Sequence, residues 1–189
     1  MQTNEMADVL CGRIKELLTA KQQLIVAIDG RCAAGKTTLT AQLQKKIDCN
    51  VFHMDDFFLR PEQRTQQRLS TPGENVDYER FWKEILLPLI NRQAIIYRPY
   101  DCHRQAFGLK ITQPYRPVTI IEGSYSCHPK LWEYYDLHVF LDVKVEEQIS
   151  RIIARNSNTL EAFRNKWIPL EEKYFSAYEI ENRCEIVLR

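Results

Sequence analysis

From residue 30 to residue 37 the chain reads Gly-Arg-Cys-Ala-Ala-Gly-Lys-Thr, which satisfies the pattern G-x-x-x-x-G-K-[ST]. Residues of these types at this spacing bind phosphate. The backbone N–H groups of a tight turn and of a helix N-terminus converge on one point and attract an anion there. Gly30 and Gly35 supply backbone angles and a close approach that a side chain would obstruct. Arg31, Cys32, Ala33 and Ala34 form the interior of the loop. Lys36 is placed to reach the terminal phosphates and Thr37 to offer its hydroxyl to Mg²⁺, and Thr38 is expected among the residues that bind the nucleotide. The expected ligand is a nucleoside triphosphate. Cys32, beside a helix N-terminus, reads either as a thiol of lowered pKa or as a tolerated small residue.

Acids stand at two further points. Asp55 and Asp56 follow an apolar run in HMDDFF (53–58), and Glu122 closes PVTIIEG (117–123). In an open parallel sheet, ligands gather at the carboxyl ends of the strands. A carboxylate at Asp55 could orient an acceptor hydroxyl and accept its proton. Glu122 could lie against Mg²⁺. The alternative for both is a solvated acid at a strand end. Switch GTPases also need D-x-x-G and N-K-x-D. The chain has neither, since residues 165–168 read Asn-Lys-Trp-Ile. The Gly-rich signature of transport-type ATPases is absent too. A phosphoryl-transferring kinase that uses ATP and Mg²⁺ is therefore the leading expectation.

The elements needed to position these residues can be read from apolar periodicity. Val9, Leu10, Ile14, Leu17 and Leu18 predict a helix over 5–19. LIVAID (24–29), CNVFHM (49–54), AIIY (94–97), PVTIIEG, LHVFLDV (137–143) and EIVL (185–188) predict strands. Helices are expected from Lys36 to Ile47, from an Asp77 N-cap through Phe81, Ile85 and Leu89, and through Val145, Ile149, Ile152 and Ile153. A last long helix carries Phe163, Trp167, Leu170, Tyr174 and Tyr178. Pro88 predicts a kink or an early stop, and Pro169 a break. Trp82 and Trp167 fall in apolar patterns and are expected in the core. Alternating strands and helices imply an α/β three-layer fold with a mostly parallel central sheet.

The succession GRCAAGKTT, DDFF, ENVDYERF, RPYD, IIEGSY and HVFLDVKVEEQISRIIARN resembles the uridine kinase family of P-loop kinases, over roughly residues 22–188. That family is similar in turn to phosphoribulokinase and bacterial pantothenate kinase. The resemblance implies that Asp55 activates the acceptor hydroxyl and that Asp77 binds ribose hydroxyls. It places Tyr100 near the base, Glu122 near metal and substrate, and Arg155 on the phosphates from a lid. His103 aligns loosely with a base-contacting histidine. The length suggests a single domain over 1–189, read as an N-terminal helix (1–20), substrate-side segments (56–76 and 98–116) and a short lid (151–166). Ile152 stands where the family has a second arginine, and the lid sequence NSNTLEAF has no glycine. Arg151 reads as a further phosphate ligand or as an ion-pair partner of Glu147. Arg60, Arg64 and Arg68 read as a basic face over an anionic substrate or as a solvated helix face.

Composition narrows the field. The chain has 189 residues, 26 basic and 25 acidic, for a net charge of +1. That balance argues against a nucleic-acid partner. No apolar run approaches membrane-spanning length, and the first residues lack the pattern of an export signal. The six cysteines show no zinc-like spacing, so free thiols in a reducing cytoplasm are expected. The expected partner is a small-molecule substrate, with a nucleoside favoured, and a homo-oligomer is left open. The favoured acceptor is the 5′-hydroxyl of uridine or cytidine. Other readings are a kinase for a sugar, glycerate or pantothenate-like acid, or a regulatory nucleotide-binding protein.

Overall fold

The structure is a computed structural model that describes residues 2–189. Met1, included in the expected domain, lies outside the described residues. The chain begins with α1 (Thr3–Leu18), β1 (Leu24–Gly30), α2 (Lys36–Gln44) and β2 (Asn50–His53). A 3-10 turn (Met54–Phe57) leads to the short helices α3 (Gln66–Ser70), α4 (Tyr78–Phe81) and α5 (Leu87–Ile90). Four short strands follow, β3 (Ile95–Tyr97), β4 (Tyr100–Asp101), β5 (Ala106–Phe107) and β6 (Ile111–Gln113), then β7 (Val118–Glu122) and β8 (Leu137–Leu141). The chain ends with α6 (Val145–Asn156), α7 (Leu160–Ala162), α8 (Ile168–Ala177), α9 (Ile180–Arg183) and β9 (Ile186–Leu188).

The central sheet has the order β2-β7-β1-β8-β9, and every pair in it is parallel. All seven residues of β1 are buried, which is why its sequence is a continuous apolar run rather than an alternation. Its two faces feed two cores. Ile25 and Ala27 pack with Phe52, Phe81, Ile121, Phe140 and Tyr174. Leu24, Val26 and Ile28 pack with Leu10 and Ile14 of α1 and with Leu39 and Leu43 of α2. All six cysteines are free thiols. Cys127 and Cys184 belong to the first core, Cys11 and Cys49 to the second.

Two small antiparallel pairs, β3–β6 and β4–β5, stand apart from the main sheet. The β4–β5 pair closes a short hairpin within RPYDCHRQAFG.

Neither proline ends its helix. A π-helical turn, Trp82–Leu86, precedes Pro88, and the helix continues to Ile90. Another, Phe163–Trp167, precedes Pro169, and that helix runs on to Ala177. The N–H groups of Leu87 and Ile168 each bond five residues back, to Trp82 and Phe163. A wider turn placed just before the proline absorbs its missing donor and its ring.

Trp167 departs from expectation. It is 39 % exposed, with the Lys166 ammonium 4.6 Å from its ring centroid, because the π turn rotates it out of the apolar face. Trp82 is only half-buried and meets Tyr134 edge-on.

Candidate active site

The phosphate loop joins the centre of the sheet to α2. Gly30 has φ +134° and Gly35 φ +104°. A Cβ on Gly30 would collide with the carbonyl of Leu141, so the close passage of loop and β8 requires glycine. Ala33 also takes a left-handed conformation, at φ +58°. Lys36 is 7 % exposed. Its Nζ donates to the carbonyls of Gly30 at 2.6 Å and Arg31 at 3.0 Å, and lies 3.5 Å from Ser124 Oγ.

Three strand ends meet at this loop. Thr37 Oγ1 donates to Glu122 Oε1 at 3.1 Å. Glu122, 4 % exposed, also meets His53 Nδ1 at 2.5 Å. That bond holds the His53 imidazole above its ordinary pKa. Asp55 and Glu122 flank Gly123, where a Cβ would sit 3.3 Å from Asp55 Oδ1. Asp55 reaches solvent but is crowded by protein. That desolvation raises its pKa, with Glu122 adding to the rise and Lys36 opposing it. Asp56 is raised by the same cause, opposed by His53 and Arg80.

The loop's outer atoms are gripped by the helices on either side of the lid segment. From α6, Gln148 Nε2 donates to the Cys32 carbonyl at 3.1 Å. Arg151 Nη1 donates to the carbonyls of Ala33 and Ala34, at 3.0 and 2.9 Å. Arg151 also pairs with Glu147, at 2.5 Å, which is one of its two readings from sequence. From α8, Glu171 accepts from the Cys32 N–H at 3.0 Å and from Ser124 Oγ at 2.5 Å. Glu172 forms a two-pronged pair with Arg31, which is also bound by Asp142. Tyr174 OH donates to Asp29 Oδ2 at 2.9 Å.

Asp29 is fully buried. It also accepts from the backbone N–H groups of Gly30, Tyr125 and Cys127. Burial nevertheless pushes its pKa up to about 6. The Cys32 thiol moves against the direction its helix-end position suggested. Desolvation and the neighbouring Glu171 push it up to about 12.

The other expected residues are dispersed. Arg155 is exposed on the last turn of α6 and borders a cavity together with Gly35 and Thr38. Ile152, in the place of a second arginine, is core at 2 % exposure. Asp77 is 2 % exposed and serves as the N-cap of α4. One of its oxygens accepts from the Arg80 N–H at 3.0 Å, the other from Gln63 Nε2 at 2.8 Å. Tyr100 is buried with its ring edge against Phe107, and its hydroxyl has no hydrogen-bond partner among the described residues. His103 is exposed on the hairpin turn, where its N–H donates to Asp101.

Arg60, Arg64 and Arg68 form no common face. Arg60 pairs with Glu62, Arg64 donates to the Leu59 carbonyl, and Arg68 is tied to Glu74 and Glu79. Short irregular turns replace the continuous helix that a four-residue spacing would require.

Glycine at both bends, where Gly30 admits no Cβ, and a buried lysine at the helix start fit a polyphosphate. A hydroxyl joined to one carboxylate fits Mg²⁺, which takes one or two protein ligands and completes its shell with phosphates and water. No group of three or more His, Cys, Asp or Glu among the described residues is arranged to hold a metal alone. His53, Glu171 and Asp29 were missed from sequence. For Asp29 a signal existed: an acid ending a fully apolar strand, directly before the loop glycine.

No protein-family model matches the chain. Two solved structures are similar over 100 % of this chain and 100 % of their own. One, a possible uridine kinase from Bacillus stearothermophilus, has a TM-score of 0.74 at 23 % identity. The other, a proposed fructose transport system kinase from Silicibacter sp. TM1040, has a TM-score of 0.71 at 20 % identity. At these identities the likeness establishes the fold alone, a three-layer α/β fold around a parallel central sheet. No helix among the described residues is long and apolar enough to cross a membrane.

Proposed function

We propose that the protein is an ATP-dependent kinase that transfers a phosphoryl group to a hydroxyl of a small molecule, with the 5′-hydroxyl of uridine or cytidine as the favoured acceptor. One observation carries the reading. The phosphate loop, the Thr37–Glu122 pair and the Asp55 carboxylate meet at the carboxyl edge of one parallel sheet. This edge is where such folds bind ligands.

In this reading the loop amides and Lys36 bind the phosphates. Thr37 and Glu122 would hold Mg²⁺, which when bound supplies charge neutralisation for the transferred group. Asp55 orients the acceptor hydroxyl and takes its proton. Its raised pKa makes it a better base than an ordinary surface aspartate. Arg155 lies on the lid side, where a closing motion would bring its guanidinium toward the phosphates.

A second reading of the acceptor rests on Asp77. Both of its oxygens already accept hydrogen bonds from protein groups, which favours an acceptor that does not need it, such as a sugar or a hydroxy acid. The deciding experiment is ADP release from ATP and Mg²⁺ across uridine, cytidine, other nucleosides, simple sugars, glycerate and pantothenate. Stimulation by uridine or cytidine supports the favoured acceptor, and stimulation by another compound supports the second reading. Acceptor-independent hydrolysis alone would replace the kinase with a nucleotide-binding regulator.

A further inference from the structure

A cavity of about 540 Å³ opens beside the phosphate loop, within the size range of small-molecule pockets. Gly35, Thr38, Val143, Lys144 and Arg155 are among the residues that line it. Thr37, Asp55 and Glu122 do not line it. A triphosphate seated in the loop with its reacting end toward Asp55 must send its other end elsewhere. This cavity is the recess that continues from Gly35 and Thr38.

The lining also takes in Asp142, Glu147, Arg151 and Arg189 and, from α1, Thr3 and Met6. Thr3 and Met6 stand three apart, on one helical face. The wall is firmly held. Met6, Leu10 and Ile14 lie in the same core as Leu39 and Leu43 of α2, and Asp8 pairs with Lys46 at 2.7 Å. Its chemistry suits a flat heteroaromatic ring. A thioether packs well against aromatic edges, and a threonine hydroxyl can donate or accept.

We propose that α1 forms one wall of the pocket for the base of the bound nucleoside triphosphate, with Thr3 and Met6 as specificity-determining residues. The proposal rests on the kinase reading above. It gives the segment before the first strand a role in choosing the phosphoryl donor.

The test is calorimetric binding of ADP, GDP and inorganic tripolyphosphate to the wild type, Thr3→Trp and Met6→Ala, with helix content checked by circular dichroism. Tripolyphosphate engages the loop but has no base. Thr3→Trp should weaken ADP by about tenfold or more while leaving tripolyphosphate unchanged, and Met6→Ala should alter the ADP-to-GDP affinity ratio by about tenfold. Equal losses for ADP and tripolyphosphate would mean that α1 acts only through the loop. Unchanged ADP binding and an unchanged ratio would place the base elsewhere. Either result overturns the proposal and leaves the kinase reading standing. A wild type that binds neither ADP nor tripolyphosphate would overturn both.

Discussion

Thr37 Oγ1 and Glu122 Oε1 lie 3.1 Å apart, linking the first turn of α2 to the end of β7. Both are held from behind. Thr37 follows the buried Lys36, and Glu122 is bound by His53. The pair therefore offers a preset hydroxyl and carboxylate, and its disruption should show in the metal dependence of the reaction. Glu122→Gln should lower turnover by about 100-fold. It should also raise the Mg²⁺ concentration needed for half-maximal rate. Tripolyphosphate binding without metal should stay within about twofold. Turnover at wild-type Mg²⁺ dependence would remove Glu122 from the metal site.

Asp55→Asn keeps the shape of the side chain and removes its basicity. With a positioned base contributing about 10²- to 10⁴-fold, kcat should fall by that range while ATP affinity survives. Steady-state kinetics at saturating acceptor, paired with ADP titration, separates the two. A variant with undiminished kcat would exclude Asp55 as the base.

Glu171 accepts from both the Cys32 N–H and Ser124 Oγ. Glu171→Ala leaves the buried Ser124 hydroxyl and the part-buried Cys32 N–H without this partner, at up to about 1–3 kcal/mol for the buried donor and less for the other. Thermal or urea unfolding should show a loss of that order, and the KM for ATP should rise more than kcat falls. Glu171→Gln retains an acceptor and should recover most of the stability. If both variants unfold like the wild type, the carboxylate is not a staple of the loop.

Asp29 gives a pH signature. Its folded pKa is raised from 3.8 to about 6, chiefly by burial. The folded state therefore binds more protons than the unfolded chain between those values. The stability contributed by this group is fully present below pH 3.8 and is lost as pH rises through 6. A shift of about 2 units corresponds to about 3 kcal/mol. Relative to Asp29→Asn, which does not titrate, the wild type should lose stability by up to that amount between pH 4 and pH 7. Denaturant unfolding at several pH values measures the difference, and a flat difference would mean that the carboxylate titrates normally.

The frame and the phosphate loop were legible in the sequence, because periodicity and the glycine-lysine motif are local signals. The strands LIVAID and PVTIIEG and the capping role of Asp77 could be read that way. What could not be read depends on contacts between distant residues. Glu171 looks like any acid on an amphipathic helix until α8 is laid across Cys32, 139 positions earlier. Cys32 was open to two readings from its place near a helix end, and the crowding by Glu171 that raises its pKa is invisible in the loop's own sequence. The two prolines looked like helix stops because a π turn has no sequence signature of its own. The spacing of Arg60, Arg64 and Arg68 suggested a common face only on the assumption of one continuous helix.

The distribution of cysteines makes the chain its own reporter of local opening. Cys11 and Cys49 lie in the core on one face of the sheet, Cys127 and Cys184 in the core on the other. A thiol-reactive dye should reach each pair mainly when that layer loosens, and Cys127, at 0 % exposure, most strictly so. Cys32 would react slowly for a different reason. Burial and Glu171 push the thiol up to about 12, so the reactive thiolate is scarce at neutral pH. Its labelling rate should track the fraction of molecules in which the loop has let go of Glu171. Modification kinetics, resolved by peptide mass, would then time the two layers and the phosphate loop separately, without an introduced probe.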